Sequence, residues 1–190
     1  MSFISSEALD FRRQSRRLLS TRGIAVAGLF AALYVVLSFF NIRLSPLIEI
    51  RFPFLILAAV SLFGGPLMGV ASAIVADIVS TLLTGGAFFF GFTFSYSLMA
   101  FLFGLIFCGS RLTVPRVILG AVVECSISLS FHTLWLSMMY GSPLKALFFT
   151  RLPKCLAMLP VNAFLLFLVL RIFRKVFAQA ELMQDPPARP

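Results

Sequence analysis

Long apolar runs, separated by short segments that carry glycine, proline or charge, restrict this chain more than any other feature of its sequence. A helix needs about 20 apolar residues to cross a hydrocarbon core of about 30 Å. Because 60% of the 190 residues are hydrophobic and only 12% are charged, little sequence is left for a soluble domain. The runs lie at about residues 23–40, 53–63, 67–83, 94–107, 116–140 and 147–170, and the second is only a half-span. The pattern predicts an all-α integral membrane protein, a bundle of six transmembrane helices.

The basic residues flank these runs. Eleven of the sixteen Lys and Arg residues lie within residues 1–22, 109–116 and 171–190. Cationic segments beside spans mark cytoplasmic loops, so both termini are predicted to be cytoplasmic. The same placement accounts for the net charge of +9 without a nucleic-acid partner. An alternative for residues 1–22 is a helix on the surface of anionic lipid headgroups.

Two carboxylates fall inside the apolar runs. Ionisable side chains within a span are costly and usually face the bundle interior or a cavity. Asp77 is predicted either to meet a ligand amine or amidine, or to form an interhelical hydrogen bond or ion pair. Glu124 is interpreted as having a structural role or a role in coupling. It shares one stripe of the fifth run, at helical spacing, with Ser128, His132, Trp135 and Met139.

Further groups could contact a ligand outside that stripe. Arg151 and Lys154 are three residues apart and share a face, where they could hold a carboxylate or phosphate or extend toward lipid headgroups. An aromatic cluster precedes and enters the fourth run, and it is predicted either to stack a flat ligand or simply to pack. Its members are Phe88, Phe89, Phe90, Phe92, Phe94 and Tyr96.

The sequence carries no sign of an enzyme. It has no glycine-rich phosphate loop with Lys and Ser or Thr, and no nucleophile beside a base. The three cysteines and the single histidine do not have metal-ligand spacing, so no metal is expected.

Several short motifs, taken together, resemble the folate branch of the substrate-binding S components of energy-coupling factor (ECF) vitamin transporters. The resemblance extends over about residues 24–172. It is carried by Thr133-Leu134-Trp135-Leu136-Ser137, Tyr140-Gly141, Arg151-Leu152-x-Lys154 and Gly91-Phe92-Thr93, with a looser match from Phe63-Gly64-Gly65-Pro66 to Asp77. The family usually has asparagine where this sequence has His132.

The resemblance implies a high-affinity folate-binding subunit of an ATP-driven importer in the bacterial cell membrane. Its parts would be a cytoplasmic N-terminal segment (1–22), a six-helix substrate-binding domain (23–172) and a cytoplasmic tail (173–190). The partners implied are a transmembrane coupling subunit and two separate ATPases that use the ATP, with no cofactor bound to this chain. The implied folate contacts are Arg43, Phe88, Phe92, Thr93, Tyr96, His132, Trp135, Tyr140, Arg151 and Lys154. Ala27 and Ala31 match the motif that contacts the coupling subunit.

Other functions stay open at this point. The ligand could be another vitamin, such as pantothenate, thiamin or riboflavin. A lipid-active membrane enzyme and an assembly protein without a ligand are less favoured alternatives.

Overall fold

The computed structural model describes residues 10–40, 42–45, 48–85, 87–110 and 112–179, with side chains except at 13, 17, 42–45, 48–50 and 177–179. The predictions for residues 1–9 and 180–190, and for the side chain of Arg43, lie outside what is described. The elements are α1 (Phe11–Leu19), α2 (Thr21–Ser38), β1 (Ile42–Ser45), β2 (Ile48–Ile50), α3 (Phe54–Thr84), α4 (Phe90–Phe107), α5 (Val114–Ile127), a π-helix (Ser128–His132), α6 (Thr133–Tyr140) and α7 (Leu144–Gln179).

Five helical segments among the described residues are long and apolar enough to cross a membrane. They are α2, α3, α4, the continuous segment Val114–Tyr140 and α7. Large apolar side chains such as Leu29, Leu82 and Phe164 are about two-thirds exposed or more, as expected for side chains that face lipid. The chain is therefore a multi-pass, all-helical membrane protein. The predicted count of six separate helices is not confirmed, because the second and third predicted runs lie in the single element α3.

Helix α3 reverses direction at Gly65. Gly65 has φ 76° and ψ −175°, which only glycine adopts without strain, and Pro66 follows it. A Cβ atom on Gly69 would lie 2.2 Å from Ser61 Oγ. In a continuous helix, residues eight apart are separated by about 12 Å. The two halves of α3 therefore fold back against each other without an intervening loop.

The bundle end that holds this turn also holds α1. The Gln14 side chain is 4% exposed, and its Oε1 accepts a hydrogen bond of 3.3 Å from the Leu67 backbone N–H. The ring of Phe30 packs against Phe63 at 6.2 Å and against Phe173 at 5.4 Å. Thus α1, the α3 turn and the later part of α7 gather at one end of the bundle. That arrangement agrees with termini on one side, which stays a prediction.

A short antiparallel hairpin follows α2 toward the other end. Its strands pair Ile42 with Ile50 and Arg43 with Glu49. The sequence pattern predicts only a connection over residues 41–52, although the alternation around Pro46 suits short strands. The hairpin leads directly into Arg51 and so delivers that residue to the start of α3.

Helix α4 packs closely against the α3 turn. A Cβ atom on Gly104 would lie 2.5 Å from both the Cα and the backbone N of Pro66. Phe103 and Ala100 on the same helix are fully buried. The absence of a side chain at Gly104 lets the backbone of α4 approach the backbone of the α3 turn closely.

Candidate ligand-binding site

A cavity lies between the helices, toward the end that holds the hairpin. It encloses about 730 Å³ of empty space, counted with its open mouth. Its walls come from the segment before α3, from α3 and α4, from the Val114–Tyr140 segment and from α7. The lining residues are Arg51, Pro53, Phe54, Phe92, Tyr96, Met99, Glu124, Ser128, His132, Leu136, Arg151 and Lys154.

The wall carries three cations and one carboxylate. The cations are Arg51, Arg151 and Lys154, and the carboxylate is Glu124. Arg151 is only 5% exposed, and its Nε and Nη1 atoms have no hydrogen-bond partner among the described residues. Buried charged donors without partners are costly. An anionic ligand would remove that cost, because each of these charged N–H groups can donate a hydrogen bond to a carboxylate oxygen.

Arg51 completes the cationic wall from the hairpin side. Its Nη1 donates a hydrogen bond of 2.7 Å to the Tyr96 hydroxyl. Tyr96 is 4% exposed and therefore fixes one edge of the guanidinium. From the sequence, Arg51 was interpreted only as a loop cation. The signal that could have found it is its position two residues before Pro53, at the start of an apolar run.

His132 lies in an aromatic wall. The centroid of its ring is 5.5 Å from that of Phe92 and 5.1 Å from that of Tyr96. The ring is buried, and its Nε2 has no hydrogen-bond partner among the residues described. The wall thus offers aromatic faces for a flat ring and one unused polar atom beside them.

Glu124 has both a structural contact and a place in the cavity wall. Asn162 Nδ2 donates a hydrogen bond of 2.8 Å to Glu124 Oε2. Lys154 and Arg151 also interact electrostatically with this carboxylate. The sequence analysis favoured a structural or coupling role for Glu124. The structure shows that this residue also lines the cavity.

The π-helix changes which residues of the fifth run face the cavity. A π-turn holds one residue more than an α-turn, so it shifts the phase of the residues that follow. Glu124, Ser128 and His132 line the cavity as one stripe, but the next member is Leu136 instead of Trp135. Trp135 Nε1 instead donates to Ser95 Oγ at 2.9 Å. The sequence-based stripe, drawn for a regular α-helix, continues with Trp135 where the cavity lining continues with Leu136.

Five of the residues implied as folate contacts line the cavity, and four described ones do not. Phe92, Tyr96, His132, Arg151 and Lys154 are in the wall.

The other described residues have different surroundings. The Thr93 hydroxyl donates a hydrogen bond of 2.6 Å to Asp77 Oδ2. This interhelical hydrogen bond is one of the two arrangements predicted for Asp77. Trp135 packs against Phe89 at 5.7 Å. Phe88 and Tyr140 are 50% and 56% exposed. Arg43 lies in β1, with its side chain outside the described part. As ligand contacts, all of these assignments stay predictions.

The two alanines implied as contacts for a coupling subunit differ in accessibility. Ala31 is 8% exposed and belongs to the core cluster, and Ala27 is half-buried against that cluster. The exposed small residues of α2 are Ala25, Gly28 and Ala32. A Cβ atom on Gly28 would meet nothing within 4 Å. The small residues that are accessible on α2 therefore lie on a different face of the helix from Ala27 and Ala31.

The apolar helices and the cavity between them define a multi-pass membrane protein that encloses a ligand site. No family model matches the chain. The chain is 31% identical over 125 residues to the folate transporter FolT of Clostridium novyi (strain NT), an alignment that covers 65% of this chain and 73% of the relative. The chain belongs to the family of this folate transporter.

Two further comparisons agree. The folate transporter FolT of Leuconostoc mesenteroides subsp. mesenteroides is 29% identical over 153 residues, covering 76% of this chain and 82% of that protein. The crystal structure of FolT bound with folic acid superposes with a TM-score of 0.72 at 29% identity, and it covers 78% of this chain and 92% of that one. The resemblance inferred from the motifs is thereby confirmed at the level of the family.

Proposed function

We propose that this chain is the folate-binding S component of an ATP-driven ECF-type vitamin importer. The observation that carries the proposal is the buried guanidinium of Arg151, whose Nε and Nη1 lack hydrogen-bond partners among the described residues, in a cavity that also holds Lys154 and Arg51. Folate has an anionic glutamate for such donors and flat rings for the wall of Phe92 and His132. Membership in a transporter family also means that the chain is not an enzyme.

The test is equilibrium binding. Purified protein in detergent would be titrated calorimetrically with folic acid and a reduced folate, and with pantothenate, thiamin and riboflavin as competitors. We expect micromolar or tighter binding of a folate and no comparable binding of the other three. Tight binding of one of those vitamins, with none of a folate, would replace the proposed substrate.

We further propose that uptake requires a transmembrane coupling subunit and two ATPases, and that the complex lies in the bacterial cell membrane. These 190 residues contain no Gly-x-x-x-x-Gly-Lys-Ser/Thr motif, so ATP hydrolysis is assigned to separate subunits and no cofactor to this chain. The exposed small face of α2, formed by Ala25, Gly28 and Ala32, is the surface that we assign to the coupling subunit. Co-purification of the chain with such subunits is the direct measurement.

A further inference from the structure

Two charged side chains are bonded to neighbouring positions on one face of α4, near the start of that helix. The Thr93 hydroxyl donates a hydrogen bond of 2.6 Å to Asp77 Oδ2, and the Tyr96 hydroxyl accepts one of 2.7 Å from Arg51 Nη1. Thr93 and Tyr96 are three residues apart, so they are neighbours on the helix surface. Helix α4 thus brings together a carboxylate from the second half of α3 and a guanidinium that follows the hairpin.

We propose that Asp77 is a positioning residue for ligand binding, whose negative charge holds the Arg51 guanidinium in the orientation in which it meets an anionic ligand. The proposal rests on the folate-binding function proposed above. Asp77 is 5% exposed and does not line the cavity, whereas Arg51 does. Asp77 therefore acts on the ligand through Arg51 and not by contact.

The burial of Asp77 in an apolar helix calls for a compensating charge. Ionisable side chains within a span are costly and usually pair with a group of opposite charge. The Thr93 hydroxyl is a neutral donor, so it supplies a hydrogen bond but no net charge. Arg51 supplies the charge, because it lies close enough to act electrostatically on Asp77. The buried Tyr34 ring lies close enough to interact with both Asp77 and Arg51, and it meets the Tyr96 ring edge-on at 6.2 Å.

Arg51 in turn needs a group that holds it. Its side chain is exposed, and a long side chain loses conformational entropy when it is fixed. Arg151 lies close enough to repel Arg51 electrostatically across the cavity that both residues line. The Tyr96 hydroxyl restrains one nitrogen but, being neutral, does not offset that repulsion. A fixed carboxylate offsets it, and a guanidinium that is already oriented loses less entropy when a ligand binds.

The experiment is a double-mutant cycle on the calorimetric Kd for folic acid, measured in detergent for Asp77→Asn, Arg51→Met and both together. Two consequences of Asp77→Asn have opposite signs. Removal of a negative charge strengthens the general attraction of the cavity for an anion, whereas release of Arg51 weakens binding. We expect Asp77→Asn to weaken folic acid about fivefold in the unmodified chain and by about twofold or less in Arg51→Met, because residues in one network have non-additive effects.

A matched control and a second pair of variants keep the outcome clear. Ser72 is a 3% exposed polar residue in the same half of α3, and its Oγ has no hydrogen-bond partner among the described residues. Ser72→Ala should therefore leave the Kd unchanged. If Asp77→Asn does not fold, Thr93→Val should weaken folic acid by a smaller factor, and Thr93→Ser, which keeps the hydroxyl, should restore the Kd. Tighter binding to Asp77→Asn, or an equal loss in both backgrounds, would overturn the positioning role.

A second measurement needs no ligand. Hydrogen exchange in the peptide that contains Arg51 should be faster in Asp77→Asn than in the unmodified protein or in Ser72→Ala, because a released Arg51 no longer ties that segment to α4. Unchanged exchange would count against Asp77 as the group that holds Arg51. Failure of the unmodified chain to bind folic acid would instead overturn the proposed function, and the exchange measurement would still test the link between Asp77 and Arg51.

Discussion

Replacing Arg151 with methionine is expected to move ligand affinity and ligand-free stability in opposite directions. Arg151 is 5% exposed, and two of its donor atoms have no hydrogen-bond partner among the described residues. If Arg151 served only for packing, replacing it would lower the stability of the ligand-free protein. A residue kept for an anion is a burden until that anion binds, because its desolvated donors are not compensated. Methionine has a similar length and removes that cost.

The size of the binding loss follows from the two donor atoms. A hydrogen bond to a charged group contributes about 1.5–3 kcal/mol, and removing one partner of a buried, hydrogen-bonded charge pair costs about 2–5 kcal/mol. Hydrogen bonds from these two donor atoms to the ligand therefore correspond to a loss of about 3 kcal/mol. At about 1.4 kcal/mol for each tenfold change, folic acid should bind roughly 100-fold more weakly to Arg151→Met. Arg151→Lys keeps the charge but not the planar guanidinium with its several donors, so folic acid should bind about tenfold more weakly.

Two measurements on the same detergent preparation test this prediction. Calorimetry gives the Kd for folic acid, and thermal unfolding without ligand gives the stability. Arg171→Met is the matched control, because Arg171 is exposed on the same helix and its guanidinium lies 5.9 Å from the Phe167 ring, outside the cavity. The reasoning is refuted if Arg151→Met lowers ligand-free stability while the Kd for folic acid stays the same.

Three further predictions address the packing and the partner surface. The Cys125 thiol lies close enough to Cys155 on the facing helix for the two groups to interact electrostatically. Copper phenanthroline with oxygen should therefore join the two sulfurs as a disulfide, which mass spectrometry after proteolysis would detect. Absence of that cross-link would contradict the packing of α5 on α7. Gly104→Ala should destabilise the bundle by about 1–3 kcal/mol, because the added carbon would lie 2.5 Å from the Pro66 backbone; an unchanged unfolding temperature would count against that contact. Gly28→Leu should retain the Kd for folic acid but prevent co-purification with a coupling subunit, and undiminished co-purification would exclude this face of α2.

The features of the helical bundle that depend on local sequence pattern could be predicted from the sequence. Apolar run length marks the spans, because the bilayer sets one length for all of them. The break at Gly64-Gly65-Pro66 is also visible in the sequence. That the break is a reversal within one element depends on the positive φ of Gly65 and on the packing of Ser61 against Gly69. Such contacts between halves of a chain have no local signature.

The candidate site could be predicted only in part. Arg151, Lys154 and His132 were identified because polar groups within apolar runs are rare and costly. Trp135 was assigned to the same stripe because a regular helix was assumed, and the π-helix at Ser128–His132 removes it from the wall. Arg51 was not identified as a site residue because it approaches from a hairpin, not from a span.

The sequence by itself determined that the chain crosses the membrane several times and to which transporter family it belongs. Both conclusions rest on features that persist without folding: the hydropathy of contiguous runs and short motifs. Only the tertiary structure decided which polar side chains share one cavity, that two donor atoms of Arg151 are buried without partners among the described residues, and that Glu124 and Arg51 line the same cavity. Those facts depend on the rotation of each helix about its axis, and that rotation is set by packing between helices distant in the chain.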